Sequence, residues 1–202
     1  LGGAAYAVWP LWLAAAGWLL NLYWVTQYPH SSQQWHTTSR RLLMGVWVLL
    51  PCWVGFNVLR DSGAVWLLFV LLLVWTADIG AYFAGRRWGK RKLAPRVSPG
   101  KSWEGVYGGL AATTLLAMLF ALWQPLGPMG GVALVVITAV VTLTSVLGDL
   151  FESMLKRYRN IKDSSQLLPG HGGVLDRIDS LTAAIPIFAL FYLQVLSLQV
   201  SA

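Results

Sequence analysis

AVWLLFVLLLVWTADIGAYF, residues 64 to 83, is a run of twenty residues with one charge in it, Asp78. A helix of about twenty apolar residues crosses the ~30 Å of a bilayer's hydrocarbon. The rest of the chain repeats that pattern: apolar runs lie roughly at 4–24, 42–59, 105–123, 130–148 and 181–200, which makes six expected spans. Hydrophobic residues make up 56% of the 202 positions and charged ones only 11%, a balance that excludes an ordinary soluble surface. The predicted fold is therefore all-α: a polytopic integral membrane protein of about six transmembrane helices, with a polar site at the helix ends. Trp24, Trp66, Trp103 and Trp123 fall near span ends, where indole rings anchor at the interface, while Trp47, Trp53 and Trp75 lie mid-span as packing or lipid-facing residues. Cys52, the one cysteine, reads as a buried thiol.

Basic residues orient the bundle. Fourteen of the fifteen Lys and Arg fall in alternate loops, at 40–41, 86–101 and 156–177, against Arg60 alone on the other side. The positive-inside rule then puts the three rich loops in the cytoplasm and both ends of the chain outside. A net charge of +7 becomes a one-sided field for anionic headgroups and soluble anions. Nucleic acid is not an expected partner, because no recognition module accompanies the charge. The chain opens on Leu1 without a basic stretch before the first span, so it reads as the C-terminal part of a longer chain, with 1–202 forming one membrane-embedded catalytic domain.

Seven of the eight carboxylates lie near the same ends or in the same loops. A carboxylate in hydrocarbon is costly, and the small neighbours Ala77, Gly80 and Ala81 favour close helix packing around Asp78 over simple snorkelling. Asp149 and Glu152 stand three residues apart, as do Asp176 and Asp179, so each pair shares a helix face. Two such pairs supply hard oxygen donors for Mg²⁺ shared with a phosphate. Blander readings stand beside these: Glu152 as a partner for Lys156 four residues on, and Asp176 as a helix-dipole partner or a mate for Arg177. GHGG at 170–173 offers flexible backbone to an anion, and His171 within it reads equally as a catalytic group or a loop hydrogen-bonder. SPGKSWEG at 98–105 copies the end of a phosphate loop, but Pro95 stands where that motif needs Gly. Lys101 and Ser102 before a helix start still make an anion site.

From Ser153, Lys156, Arg157, Lys162 and Asp163 through His171, Gly172 and Gly173 to Asp176, Arg177 and Asp179, the 27 residues resemble the signature of the phosphatidate cytidylyltransferases, or CDP-diacylglycerol synthases. Asp78 with Ala81 and Tyr82, SPGKSWEG, and SVLGDLFES are similar to the same family, so the resemblance covers roughly 65–200. It implies CMP transfer from CTP to phosphatidic acid, releasing pyrophosphate, at the cytoplasmic face of a bacterial inner membrane, and further membrane helices before residue 1 in full-length members. It implies Asp149, Asp176, Asp179, Lys162 and His171 as catalytic residues. Substrate contacts go to Ser98, Lys101, Ser102, Lys156, Arg157, Gly172, Gly173 and Arg177, and metal binding to Asp78, Asp149, Asp176 and Asp179. Mg²⁺ is the expected cofactor, with room for a second ion. CTP, phosphatidate and membrane lipids are the expected partners, and a homodimer is left open. A CTP-dependent lipid kinase is the alternative, ahead of an ion or phosphate transporter, whose charges should line both leaflets.

Overall fold

In the computed structural model, which describes residues 2–124, 126–167, 170 and 172–200, six helices are long and apolar enough to cross a membrane. They are α1 (Gly2–Thr26), α2 (Thr38–Ser62), α3 (Ala64–Trp88), α4 (Trp103–Trp123), α5 (Gly127–Tyr158) and α6 (Leu175–Phe191), the last continued by a π-helical turn, Tyr192–Leu196, and a short α7, Ser197–Val200. A hairpin of β1 (Lys92–Ala94) and β2 (Ser98–Ser102) joins α3 to α4. It is the one β-hairpin among the described residues. The hairpin forms because Trp103 N–H returns to Arg91 C=O at 2.9 Å, while the Glu104 carboxylate accepts the Lys90 and Arg91 N–H groups.

The helix ends differ from the expected spans where the chemistry lies. α5 runs 32 residues to Tyr158, about 48 Å of helix, so it passes well beyond the ~30 Å hydrocarbon slab. α6 likewise begins at Leu175 rather than near 181. The segment 149–180 is thus mostly helix at its two ends, and Asp149, Glu152, Asp176 and Asp179 all stand on helices. An apolar run marks hydrocarbon, not helix length: Lys, Glu, Leu and Met sustain a helix past the interface.

Small residues set how closely the helices approach. A Cβ on Gly80 would lie 2.7 Å from the Gly108 carbonyl oxygen, so α3 and α4 pack backbone to backbone. A Cβ on Gly148 would lie 2.7 Å from the Asp179 carbonyl oxygen, which brings α5 against the start of α6. On the apolar side, Trp66, Phe69, Phe120, Phe188 and Tyr192 form a cluster of rings 4.4 to 6.3 Å apart. Trp66 is therefore buried core, not the interfacial anchor its place near a span end suggests, because the inward face of α3 carries it into this cluster. Trp47, Trp53, Trp75 and Trp123 are exposed on the outside of the bundle. Cys52 is partly buried with its thiol on the Leu181 carbonyl at 3.8 Å.

Candidate active site

The charged ends of α3, α4, α5 and α6 meet at one end of the bundle. Lys101, last but one in β2, reaches across to Asp149 on α5, Nζ to Oδ2 at 2.5 Å. Asp78, nearly three turns before the end of α3, lies in the field of Lys101, Asp149 and Asp179. Around it opens a cavity of about 580 Å³ lined by Asp78, Tyr82, Arg86, Lys101, Ser102 and Asp149 among others. Arg86 donates to the Tyr82 hydroxyl at 3.0 Å, so its guanidinium is held over the cavity.

Behind Asp149 the carboxylates crowd. Glu152 is 5% exposed; one oxygen takes the Lys156 ammonium at 3.1 Å and the other, Oε1, has no hydrogen-bond donor. Its carboxylate faces that of Asp179 within hydrogen-bonding reach. Asp179 in turn accepts from the Ser180 N–H at 2.7 Å. Three helices thus direct hard oxygen donors toward one region, with a buried oxygen among them that lacks a partner. That donor set fits a hard divalent cation, although among the described residues no three such groups already stand in a coordinating cage.

Asp176 has a different environment. Its Oδ1 accepts from Lys156 at 2.7 Å, and its Oδ2 accepts from the Ser164 N–H, the Ser164 hydroxyl and the Gly173 N–H at 2.9, 2.8 and 2.7 Å. Both oxygens are occupied by donors, so the structure shows a clamp on Ser164 and Gly173 where a metal ligand was expected. Gly172, at φ +80°, and Gly173 wrap this carboxylate; a Cβ on Gly172 would sit 2.9 Å from Oδ2. The Gly173 N–H is given to Asp176 rather than held out to an anion.

Other expected substrate contacts are likewise engaged by the protein. Ser102 caps α4, accepting from the Gly105 N–H at 3.2 Å. Arg157 donates to the Val97 and Ile161 carbonyls at 3.2 and 3.3 Å, bracing the hairpin against the end of α5. Lys156 bridges Glu152 and Asp176. Ser98 pairs with Ala94 at the far end of the hairpin. Lys162 is exposed, with no side-chain hydrogen bond or ion pair among the described residues, and Arg177 is exposed on the first turn of α6. His171 lies outside the described residues. Sequence reasoning missed Arg86 and the buried state of Glu152. The signal for Arg86 was present: Asp78, Tyr82 and Arg86 recur every four residues along one helix face.

Comparison with known proteins supplies the remaining finding. The model of a family described as the cytidylyltransferase family matches residues 3–195. A phosphatidate cytidylyltransferase of Pseudomonas aeruginosa is 54% identical over 183 residues, spanning 89% of this chain and 67% of that protein. One from Haemophilus influenzae is 48% identical over 195 residues, 91% of this chain and 68% of that protein. One from Bacillus subtilis is 43% identical over 139 residues, 69% of this chain and 51% of that protein.

Proposed function

We propose that this chain, which belongs to the cytidylyltransferase family, transfers CMP from CTP to phosphatidate, releasing pyrophosphate. The observation that carries the reading is the meeting of Asp78, Asp149 and Lys101 at a cavity on the charged end of a membrane bundle, with the Asp179 carboxylate near enough to act on Asp78. The attacking group is a phosphate monoester, already largely ionised near neutral pH because its second pKa is about 6. No strong base is needed. An oxygen of that phosphate attacks the α-phosphorus of CTP, the bond from this phosphorus to the β-bridging oxygen breaks, and pyrophosphate leaves with the electron pair.

The obstacle is charge. Two polyanions must meet while more negative charge develops on the leaving group, so positioning and fixed cations do most of the work. Lys101 and Arg86 are the cavity's cationic groups, with Arg177 at the mouth of α6 as a planar phosphate fork. Asp78, Asp149 and Asp179, with Glu152 Oε1 behind them, would hold Mg²⁺; a bound cation would neutralise the triphosphate and the departing pyrophosphate. Lys101 now pairs with Asp149, an ion pair that phosphate and cation together would exchange for two new ones. Lys156, Arg157, Ser102 and Asp176 hold the elements that carry these groups. By the positive-inside rule this end faces the cytoplasm of a bacterial inner membrane.

The test is product analysis with the full chain in lipid or detergent. CDP-diacylglycerol and pyrophosphate should form only when CTP, phosphatidate and Mg²⁺ are all supplied. Release of CDP would mean transfer of the terminal phosphate and a lipid kinase instead, and no turnover with the three together would sink the proposal.

A further inference from the structure

We infer that a second cavity, between α1 and α2 at the charged end of the bundle, binds the phosphate of an anionic phospholipid from the surrounding leaflet, apart from the reaction. It measures about 350 Å³ and shares no lining residue with the polar cavity at Asp78 and Lys101. Two of its lining side chains, Asn21 and Trp35, are 2% and 0% exposed, and neither Asn21 Nδ2 nor the Trp35 indole N–H has a hydrogen-bond acceptor. A buried donor without an acceptor is destabilising, so two of them in one lining point to an occupant that accepts. Arg40 is the third donor. One of its Nη groups bonds the Gln34 carbonyl at 2.5 Å, which holds the guanidinium at the cavity. The Gln34 amide oxygen already accepts from the Trp24 indole N–H at 2.9 Å, and none of the described lining residues is acidic.

The lining identifies that occupant. Its polar groups are donors and its charge is positive, which fits a phosphate: anionic, acceptor-only, and able to take several N–H groups at once. The remaining walls include Leu20, Leu43, Met44 and Trp47, and all of these but Met44 are exposed on the outside of the bundle. A free anion would lose its water against them, whereas a phosphate that carries glycerol and the first methylenes of two acyl chains covers them. A packed helix would not serve, because its own carbonyls are already paired and the donors would stay unmet. Depth agrees. From Arg40 to Trp47 the lining follows α2 for about 10 Å at 1.5 Å per residue, the headgroup zone and upper acyl region of one leaflet. Trp35 also packs edge-on against Tyr158 at the end of α5, ring centroids 4.8 Å apart, so a bound lipid would tie α1 and α2 to the helix that carries Asp149.

Such a lipid should stabilise the fold in a saturable way, since it binds the native state alone. The test follows the unfolding temperature of the full chain in a neutral detergent while dioctanoyl phosphatidylglycerol is titrated in. Dioctanoyl phosphatidylcholine and inorganic phosphate are the comparison arms. Phosphatidylglycerol should raise the unfolding temperature at concentrations about tenfold below those the other two need, because choline already neutralises its own phosphate and free phosphate lacks the apolar part. Arg40→Gln and Asn21→Leu each remove one donor, and each should move the half-saturating concentration up about tenfold, the worth of one charge-assisted hydrogen bond. Arg41→Gln makes the same charge change one residue on, outside the lining, and should leave that concentration at the wild-type value. An equal response to phosphatidylcholine would reduce the cavity to an apolar cleft, and an equal response to phosphate would make it a site for a free anion. No response would mean that protein, a second copy of the chain included, fills it. Titrations untouched by Arg40→Gln and Asn21→Leu, or weakened as much by Arg41→Gln, would put the lipid elsewhere. Each of these four results overturns the proposal.

Discussion

Two groups of carboxylates at the charged end of the bundle, joined through Lys156, have opposite surroundings. Both oxygens of Asp176 are met by protein donors: an ammonium on one, and two N–H groups and a hydroxyl on the other. On α5, Glu152 Oε1 has no donor, and Asp78, Asp149 and Asp179 repel one another with Lys101 as their near counter-ion. The first arrangement is what a scaffold needs, since a buried charge is tolerated when paired and hydrogen-bonded. The second is costly in isolation and is repaid when a cation and an anionic substrate arrive. The lesson is that one dense polar motif contains two kinds of carboxylate, separated by how many donors the fold supplies.

The widest gap between the groups should appear in turnover. Asp149→Asn and Asp179→Asn keep the shape of the site and remove the charge that holds a hard cation, so CMP transfer should fall by about a thousandfold, ~4 kcal/mol. An Mg²⁺ titration on folded protein is the check, and unfolding temperatures should hold or rise, because mutual repulsion has been relieved. His171→Ala should keep measurably more activity than either, since the attacking phosphate is already ionised. Full activity in both Asn variants would erase the distinction.

A smaller effect, read in stability, should mark the scaffold. Asp176→Ala leaves Lys156 half-paired and three donors of the 164–173 segment without an acceptor. Removing one member of a buried pair costs about 3 to 5 kcal/mol, though Glu152 still holds Lys156 here, which favours the lower end. Proteolysis within 159–174 and thermal unfolding should both report it. If instead Asp176→Ala unfolds like wild type and loses only Mg²⁺ dependence, Asp176 belongs with the other group.

The smallest effect should come from Ser102→Ala, which removes the cap of α4 for about 1 kcal/mol of stability. Its KM for CTP should change far less than that of Lys101→Ala, the neighbouring cation. Equal kinetic damage in the two variants would make Ser102 a substrate contact, as its position in SPGKSWEG first suggests.

Much of the site was legible residue by residue and not in its roles. The spacing of Asp149 with Glu152 and of Asp176 with Asp179 places each pair on one helix face, and that is a local property of the α-helix. Nothing local distinguishes Asp176, whose partners Lys156, Ser164 and Gly173 come from three places in the chain, from Asp179 three residues later. Similarly, GHGG reads as an anion loop until the Gly173 N–H is found turned inward on Asp176.

By itself the sequence determined the class, the number of spans, the end of the bundle that carries charge, and the reacting residue types. These follow from transfer free energy and helix periodicity, which act on neighbours in the chain. Tertiary structure decided that α5 and α6 extend past the hydrocarbon and that Trp66 is core. It also decided that Lys101 meets Asp149 and that Asn21 and Trp35, two buried donors without acceptors, line one cavity. Hydrogen-bond satisfaction and cavity shape depend on groups brought together from distant segments, so they exist only once the helices have packed.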